Sequence, residues 1–373
     1  KRQKSGKLIW LHVASVGEAI SVLDLANRLA NDYEVLLTSG TVTSSSLINK
    51  GKAIGVIHQY IPLDRAAYAE RFIANFKPAL ALFVESEIWP NLINATKKSQ
   101  IPLILLNGRI SPKTRLKAWL YKVFLASSLN QFDLLLPQNE YSKNFLAALT
   151  KSKIKYIGNL KLATKPLATD PKLVKELQTK IAKRPLLVVA STHPGEEAII
   201  ARISAELRAE KALASLLTII IPRHPARGAE IKNLLSLEQK AIALRSKQEM
   251  ITADTVFYIA DTLGEIGNFY VLSNFALIGG SLTKIGGHNP LEPLKLSVIP
   301  LTGPYYFNFT ELYDELLARN LAFKIADEAA LKLSLKQYLL GQSQLPKPEK
   351  IAAFLADSQQ IFDDYLAIIH HYL

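Results

Sequence analysis

Carboxylates stand directly after two apolar runs of this chain. Leu8 to Val13 leads into Ser15-Val16-Gly17-Glu18, and Leu80 to Val84 leads into Glu85-Ser86-Glu87-Ile88-Trp89-Pro90. A carboxylate at the C-terminal edge of a buried strand can serve as general base toward a hydroxyl. Ser15 and Glu18 also match the Ser-x-x-Glu capping box, so Glu18 is either a base or a cap. Two carboxylates after a buried strand mark either a polar site or a solvated strand end. In extended chain Glu85 and Glu87 point the same way, which leaves open which is the principal one. Arg109, in Asn107-Gly108-Arg109, adds a cation to the same edge. Lys161, in Gly158-Asn159-Leu160-Lys161, can reach an acidic substrate from a hinge, though a lysine is ordinarily a solvated surface residue.

The later part of the chain has a different chemistry. Phe275 to Ile278 runs into Gly279-Gly280-Ser281, a second glycine pair at Gly286-Gly287, and Asn289-Pro290-Leu291-Glu292. That is a strand, a glycine loop and a helix start, where free amides attract phosphate and paired glycines admit a ligand close to the backbone. Glu292 lies three residues past an Asn289 cap, so it either bonds a ribose hydroxyl or completes a capping box. The spacing is not the dinucleotide fingerprint, which points to a mononucleotide. Arg223 and His224, between Pro222 and Pro225, offer a phosphate fork and a donor or strand cap. Gly264 and Glu265, in Asp261-Thr262-Leu263-Gly264-Glu265, present amides at another helix start, with Thr262 and Glu265 again fitting a capping box. Ser191-Thr192-His193-Pro194-Gly195-Glu196 reads as plain turn chemistry.

These turns must be positioned by regular elements. Apolar runs at Leu8–Val13, Val35–Thr38, Leu80–Val84, Leu103–Leu106 and Leu134–Leu136 read as buried parallel strands. A second series follows at Leu186–Ala190, Leu217–Ile221, Val256–Ile259, Phe275–Ile278 and Val298–Leu301. The prolines at 166, 171 and 185 interrupt this rhythm and suggest a linker. The expected organisation is α/β with two Rossmann-like, doubly wound domains facing a cleft. Residues 1–162 form the first domain, 163–184 the linker, 185–352 the second domain, and 353–373 a C-terminal helix crossing back to the first. Pro112 to Phe132 reads as a basic, aromatic, amphipathic helix, which either lies on an anionic membrane or packs one face on the core.

The chain has 45 Lys plus Arg against 32 Asp plus Glu, a formal net charge of +13 that favours anionic partners. Cysteine is absent, which removes disulfides, thiolate catalysis and thiolate zinc sites. The seven His residues show no metal-ligand spacing, and no metal is expected. The sequence has no apolar run long enough to span a bilayer. Its start, Lys1-Arg2-Gln3-Lys4, fits either a fragment cut just after an anchor or a frayed basic terminus.

Taken together, the Ser15–Glu18, Glu85–Pro90, Gly158–Lys161, Ser191–Glu197, Pro222–Pro225, Gly279–Leu282 and Gly286–Glu292 motifs, in this order over nearly the whole chain, resemble the Kdo (3-deoxy-D-manno-octulosonic acid) transferases of lipopolysaccharide synthesis. The resemblance implies a GT-B glycosyltransferase that is inverting, metal-independent and free of cofactors, using CMP-Kdo as donor and the lipid A precursor lipid IVA as acceptor. It implies a place on the cytoplasmic face of the bacterial inner membrane, with an N-terminal anchor missing from this chain and the helix around 112–132 as a further contact. Carried over by residue, Glu18 falls on the base, Glu85 on a second site carboxylate and Lys161 on a substrate-positioning lysine, with Arg109 beside them. Arg223, His224, Gly264, Glu265, Gly280, Ser281, Asn289 and Glu292 fall on motifs that hold the CMP moiety. Two other readings are another GT-B enzyme with a different nucleotide sugar and a non-catalytic basic lipid- or RNA-binding protein. Strand-end carboxylates repel phosphate, so nucleic acid is not an expected partner.

Overall fold

The computed structural model describes residues 6–109, 125–163, 165–236 and 241–373. The chain forms two compact units, Lys1–Lys165 with Ala356–Leu373, and Pro166–Leu355.

In the first unit, β1 (Leu8–Val13), β2 (Glu34–Ser39), β3 (Val56–Tyr60), β4 (Leu80–Val84), β5 (Leu103–Gly108) and β6 (Leu134–Pro137) form one sheet in the order β3-β2-β1-β4-β5-β6. All neighbouring pairs are parallel. Ile9, Leu11 and Val13 pack with Val22, Leu25 and Leu29 of the helix Val16–Leu29, while Trp10 goes to the other face with Phe72 and Phe83. Because crossover helices bury both faces, the central strands read as continuous apolar runs. Strand order reverses between β1 and β4, whose C-terminal ends lead to Glu18 and Glu85; such switch points are where open α/β sheets keep their sites.

The second unit repeats the plan. β7 (Leu186–Thr192), β8 (Leu217–Pro222), β9 (Ile242–Leu244), β10 (Phe257–Ile259), β11 (Phe275–Ile278), β12 (Ile299–Thr302) and β13 (Phe323–Lys324) are ordered β13-β12-β11-β7-β8-β10-β9. The pairs are again parallel. Val188, Ala190, Ile219 and Ile221 fill one face, and Ile220, Phe257 and Ile259 the other. The reversal here lies between β7 and β11.

Three features differ from the sequence reading. β3, β9 and β13 were not expected, and all three are edge strands. The segment 163–184, expected as linker, contains the helix Pro171–Ile181, whose Leu173, Leu177 and Ile181 are buried in the second unit's core. Pro171, read as a breaker, opens that helix at the position where its missing N–H is no loss, and Asp170 caps it by accepting from Lys172 N at 2.9 Å. Residues 110–124 of the expected amphipathic helix lie outside the described residues. At its far end, Leu129 and Phe132 are buried in the first unit's core.

The C-terminal helix Pro348–His371 joins the first unit from Ala356 onward. There Tyr365, Leu366 and Ile369 are buried beside Ile9, Leu11 and Leu160.

Candidate active site

In the first unit, β1 ends at Val13 and Ser15 caps the helix Val16–Leu29. Glu18 N donates to Ser15 Oγ at 3.2 Å, Ser15 Oγ donates to Glu18 Oε1 at 2.9 Å, and Ala14 N donates to Glu18 Oε2 at 2.8 Å. The cap is therefore real, and it fixes the carboxylate at the strand end. Glu18 is only 8% exposed. Burial raises its pKa to about 7, reinforced by the charges of Glu87 and Glu85 and opposed by the Ala14 and Ser15 bonds.

Glu85, just past β4, has a left-handed backbone with φ 55°, which is strained for a non-glycine residue. Its carboxylate meets Lys161, Nζ to Oε1, at 2.6 Å. Glu87 turns to other partners: Trp89 Nε1 donates to it at 2.6 Å, and His12 Nε2 lies 3.4 Å away. The left-handed turn at Glu85 separates two side chains that an extended strand would have aimed together. Arg109 is held by its backbone, its N–H donating to Glu85 O at 3.3 Å and its carbonyl accepting from Ser86 Oγ at 2.9 Å.

In the second unit, the turn after β7 is far more than plain turn chemistry. Glu196, 1% exposed, accepts from three backbone amides: His193 N at 3.0 Å, Gly280 N at 2.7 Å and Leu282 N at 2.9 Å. One carboxylate thus ties the β7 turn to the glycine loop after β11. Burial still keeps its pKa above the usual carboxylate range, against the pull of those amides. The amides expected to be free for phosphate are largely engaged, since Gly286 N and Gly287 N both donate to Gly280 O, at 3.0 and 2.7 Å. Gly279 has no room for a side chain: a Cβ would come 2.4 Å from Ser191 O, so this glycine serves chain packing rather than ligand approach. Ser281 is fully buried, donating to Ile278 O and accepting from Gly303 N at 2.9 Å, which places its hydroxyl inside the loop.

Around this loop sits a cluster of three histidines, His193, His224 and His288, with Arg223. His193 Nε2 and His288 Nε2 meet at 2.8 Å with ring planes 5° apart, so at most one of the facing nitrogens carries a proton. Burial, then the neighbouring His193, Arg223 and His224, lowers His288 to about 4. His224 lies edge-on to His193 at 6.1 Å, and both His224 and Arg223 are exposed. Glu292 shares this environment, raised by burial and lowered by Arg223. Asn289 Oδ1 accepts from Leu291 N at 3.0 Å, but the cap residue of the short helix Leu291–Leu294 is Pro290, so Asn289 and Glu292 do not stand in the cap and third positions of the expected reciprocal box.

Gly264 and Glu265 lie after β10 instead. Glu265 is the cap residue of the helix Ile266–Tyr270, not its third position, and it pairs with Arg245 at 2.8 and 3.0 Å. The Arg245 bonds hold Glu265 below the usual carboxylate range. Arg245, Tyr258, Asp261, Leu263 and Glu265 line a cavity of about 910 Å³.

His12, Glu196, His288 and Arg245 were not singled out by the sequence reading. His12 had a signal, a polar residue inside an apolar strand run, which requires a partner when buried. Arg245 follows a three-residue edge strand and had none.

A family model described as 3-deoxy-D-manno-octulosonic-acid transferase (kdotransferase) matches residues 1–164. A 3-deoxy-D-manno-octulosonic acid transferase from Rickettsia typhi is 32% identical over 380 residues, covering 100% of this chain and 81% of its own length. The chain belongs to the Kdo transferase family. A Kdo transferase from Haemophilus influenzae is 34% identical over 314 residues, covering 82% of this chain and 72% of its own. Among solved structures, a glycosyltransferase from Rickettsia africae superposes with a TM-score of 0.61 at 12% identity, covering 99% of each chain, which shows a shared fold. This Kdo transferase is accordingly a GT-B glycosyltransferase built from two parallel-sheet, Rossmann-like halves.

Proposed function

We propose that this Kdo transferase takes Kdo from CMP-Kdo and places it on lipid IVA, with inversion and without a metal ion, at the cytoplasmic face of the inner membrane. The observation that carries the reading is Glu18: a buried carboxylate at the β1–β4 switch point, anchored by Ser15 and Ala14, with a pKa near 7. A base poised near the working pH combines a useful ionised fraction with proton affinity. Each Glu18 oxygen accepts one bond in the cap and keeps a lone pair for an incoming proton.

Glu18 removes the proton of the acceptor's primary hydroxyl as that oxygen attacks the anomeric carbon of Kdo. The bond from that carbon to the phosphate oxygen breaks, its electron pair stays with the phosphate, and CMP departs. Glu85 and Lys161, held at 2.6 Å, orient the acceptor or the sugar. Arg223 and His224 meet the charge growing on the departing phosphate, Asn289 and Glu292 hold the ribose, and the Gly264–Glu265 segment holds the base. The glycine loop with Gly280 and Ser281 shapes this region through Glu196. The net charge of +13 suits a donor, an acceptor and a membrane surface that are all anionic. Among the described residues no helix is long and apolar enough to cross a membrane.

The test is Kdo transfer from CMP-Kdo to a tetra-acylated lipid A precursor with chelator present, comparing the parent with Glu18→Gln. Transfer by the parent, and its loss in the variant with CMP binding retained, supports the reading. Transfer that survives Glu18→Gln reduces Glu18 to a helix cap, and parental activity abolished by chelator removes the metal-free mechanism.

A further inference from the structure

Asn107 stands at the end of β5, fully buried, with φ 52°. Its Oδ1 accepts from Leu160 N at 3.0 Å, while its Nδ2 is buried with no hydrogen-bond partner among the described residues. Leu160 opens the 3₁₀ turn Leu160–Ala163, and the next residue, Lys161, reaches Glu85 at 2.6 Å. Asn159 Oδ1 accepts from Lys161 N at 3.0 Å, adding a local brace. The segment is also fixed from the C-terminal helix: Tyr365 Oη donates to Gly158 O at 3.2 Å, and Ile361 fills the space where Gly158, at φ 106°, would carry a Cβ.

We infer that Asn107 is a positioning residue that sets Lys161 against Glu85, acting through the Leu160 amide. Glycine would occupy a left-handed backbone with less strain, and an apolar residue would leave no amide nitrogen unmet. What neither supplies is a buried acceptor for Leu160 N, and that bond fixes the backbone from which the Lys161 side chain extends. Without it the turn relaxes, and a small displacement of a positioning group costs rate out of proportion to its size. Glu85 and Glu87 are the carboxylates whose charge bears on Glu18, with His12 facing Glu87. Once Lys161 withdraws, the charge of Glu85 acts on Glu18 with less compensation.

This inference rests on the reading of Glu18, Glu85 and Lys161 given above, and the experiment separates the two. Kdo transfer is measured across pH for the parent, Asn107→Gly, Lys161→Met and the double variant. Asn107→Gly is expected to lower kcat by about 10-fold, to leave the donor KM within about two-fold, and to move the acidic limb of the kcat/KM profile to higher pH. In the Lys161→Met background the same substitution is expected to change nothing further, because its effect runs through that lysine. Asn107→Asp, which keeps both the acceptor and the tolerance for a left-handed backbone, is expected to restore the rate. Equal losses from Asn107→Gly in both backgrounds would assign Asn107 a general structural role and overturn the inference. A fully active Lys161→Met variant would instead overturn the underlying reading. Should Asn107→Gly not fold, Asn107→Ser takes its place, and equal rates for the Ser and Asp variants overturn the inference.

Discussion

Lys161 Nζ lies 2.6 Å from Glu85 Oε1, with the lysine 24% and the carboxylate 6% exposed. Removing one partner of a largely desolvated pair leaves a buried charge unmet, which costs more than the pair itself contributes. Lys161→Met is therefore expected to lower unfolding stability by about 2 kcal/mol, with the partial exposure of the lysine moderating the effect. Glu85→Gln, which neutralises the more buried partner, is expected to cost less. Urea unfolding of the two variants beside the parent checks the order.

Glu18 gives the reaction its pH dependence. The base must be ionised, so kcat/KM is expected to rise with pH through about 7 and then level off. Glu18→Gln is expected to lower kcat by about 10²–10⁴-fold and to abolish that limb. pH–rate profiles of the parent and of the variant check both.

The same residue has a consequence for stability. Its folded pKa of about 7 lies above the ordinary 4.5, so its favourable contribution is complete below pH 4.5 and is lost as pH rises through 7. Glu18→Gln is expected to flatten that fall in unfolding free energy between pH 4.5 and 8. Denaturation midpoints at several pH values, parent against variant, measure it.

Glu196 holds three amides with two oxygens. Glu196→Gln turns one acceptor into a donor facing an N–H, and a loss of about 1–3 kcal/mol is expected. Calorimetric unfolding checks the loss, and a raised KM for CMP-Kdo would show that the glycine loop is shaped for the donor.

Gly279→Ala places a methyl 2.4 Å from Ser191 O, where the three nearest atoms, from Ser191 and Thr192, are all backbone and cannot rotate away. A loss above about 2 kcal/mol is expected, larger than for Gly264→Ala, where space is open and only the φ of 81° opposes the change. Urea unfolding of both variants gives the ranking.

Much of the fold was legible because buried parallel strands announce themselves as unbroken apolar runs. Leu80–Val84 is buried throughout, and its sequence is accordingly an unbroken apolar run. β3, Val-Ile-His-Gln-Tyr, is mostly exposed, while β9 and β13 have three and two residues, so these three give no long apolar run; β6, also at a sheet edge, is buried throughout and does. At the site, the capping box of Ser15 and Glu18 showed in sequence, but the burial that lifts its carboxylate depends on neighbours distant in the chain. Spacing likewise gave no means of pairing Glu196 with Gly280, or Lys161 with Glu85, because those contacts span 84 and 76 residues and arise only from the order of the strands. The prolines near 171 misled for a local reason: proline opens a helix as readily as it ends one.

Tyr365, Leu366 and Ile369, from the last stretch of chain, fill the same core as Ile9 and Leu11, from the first. A ribosome delivers Ile9 and Leu11 more than 350 residues before Tyr365 to Ile369, and domains on a nascent chain ordinarily fold as soon as they emerge. Here the first unit cannot complete its core until the second has been made. The half that carries Glu18 is thus held unfinished until residues 365–369 have been made, and a chain released before them is left without the packing around Leu160, next to Lys161.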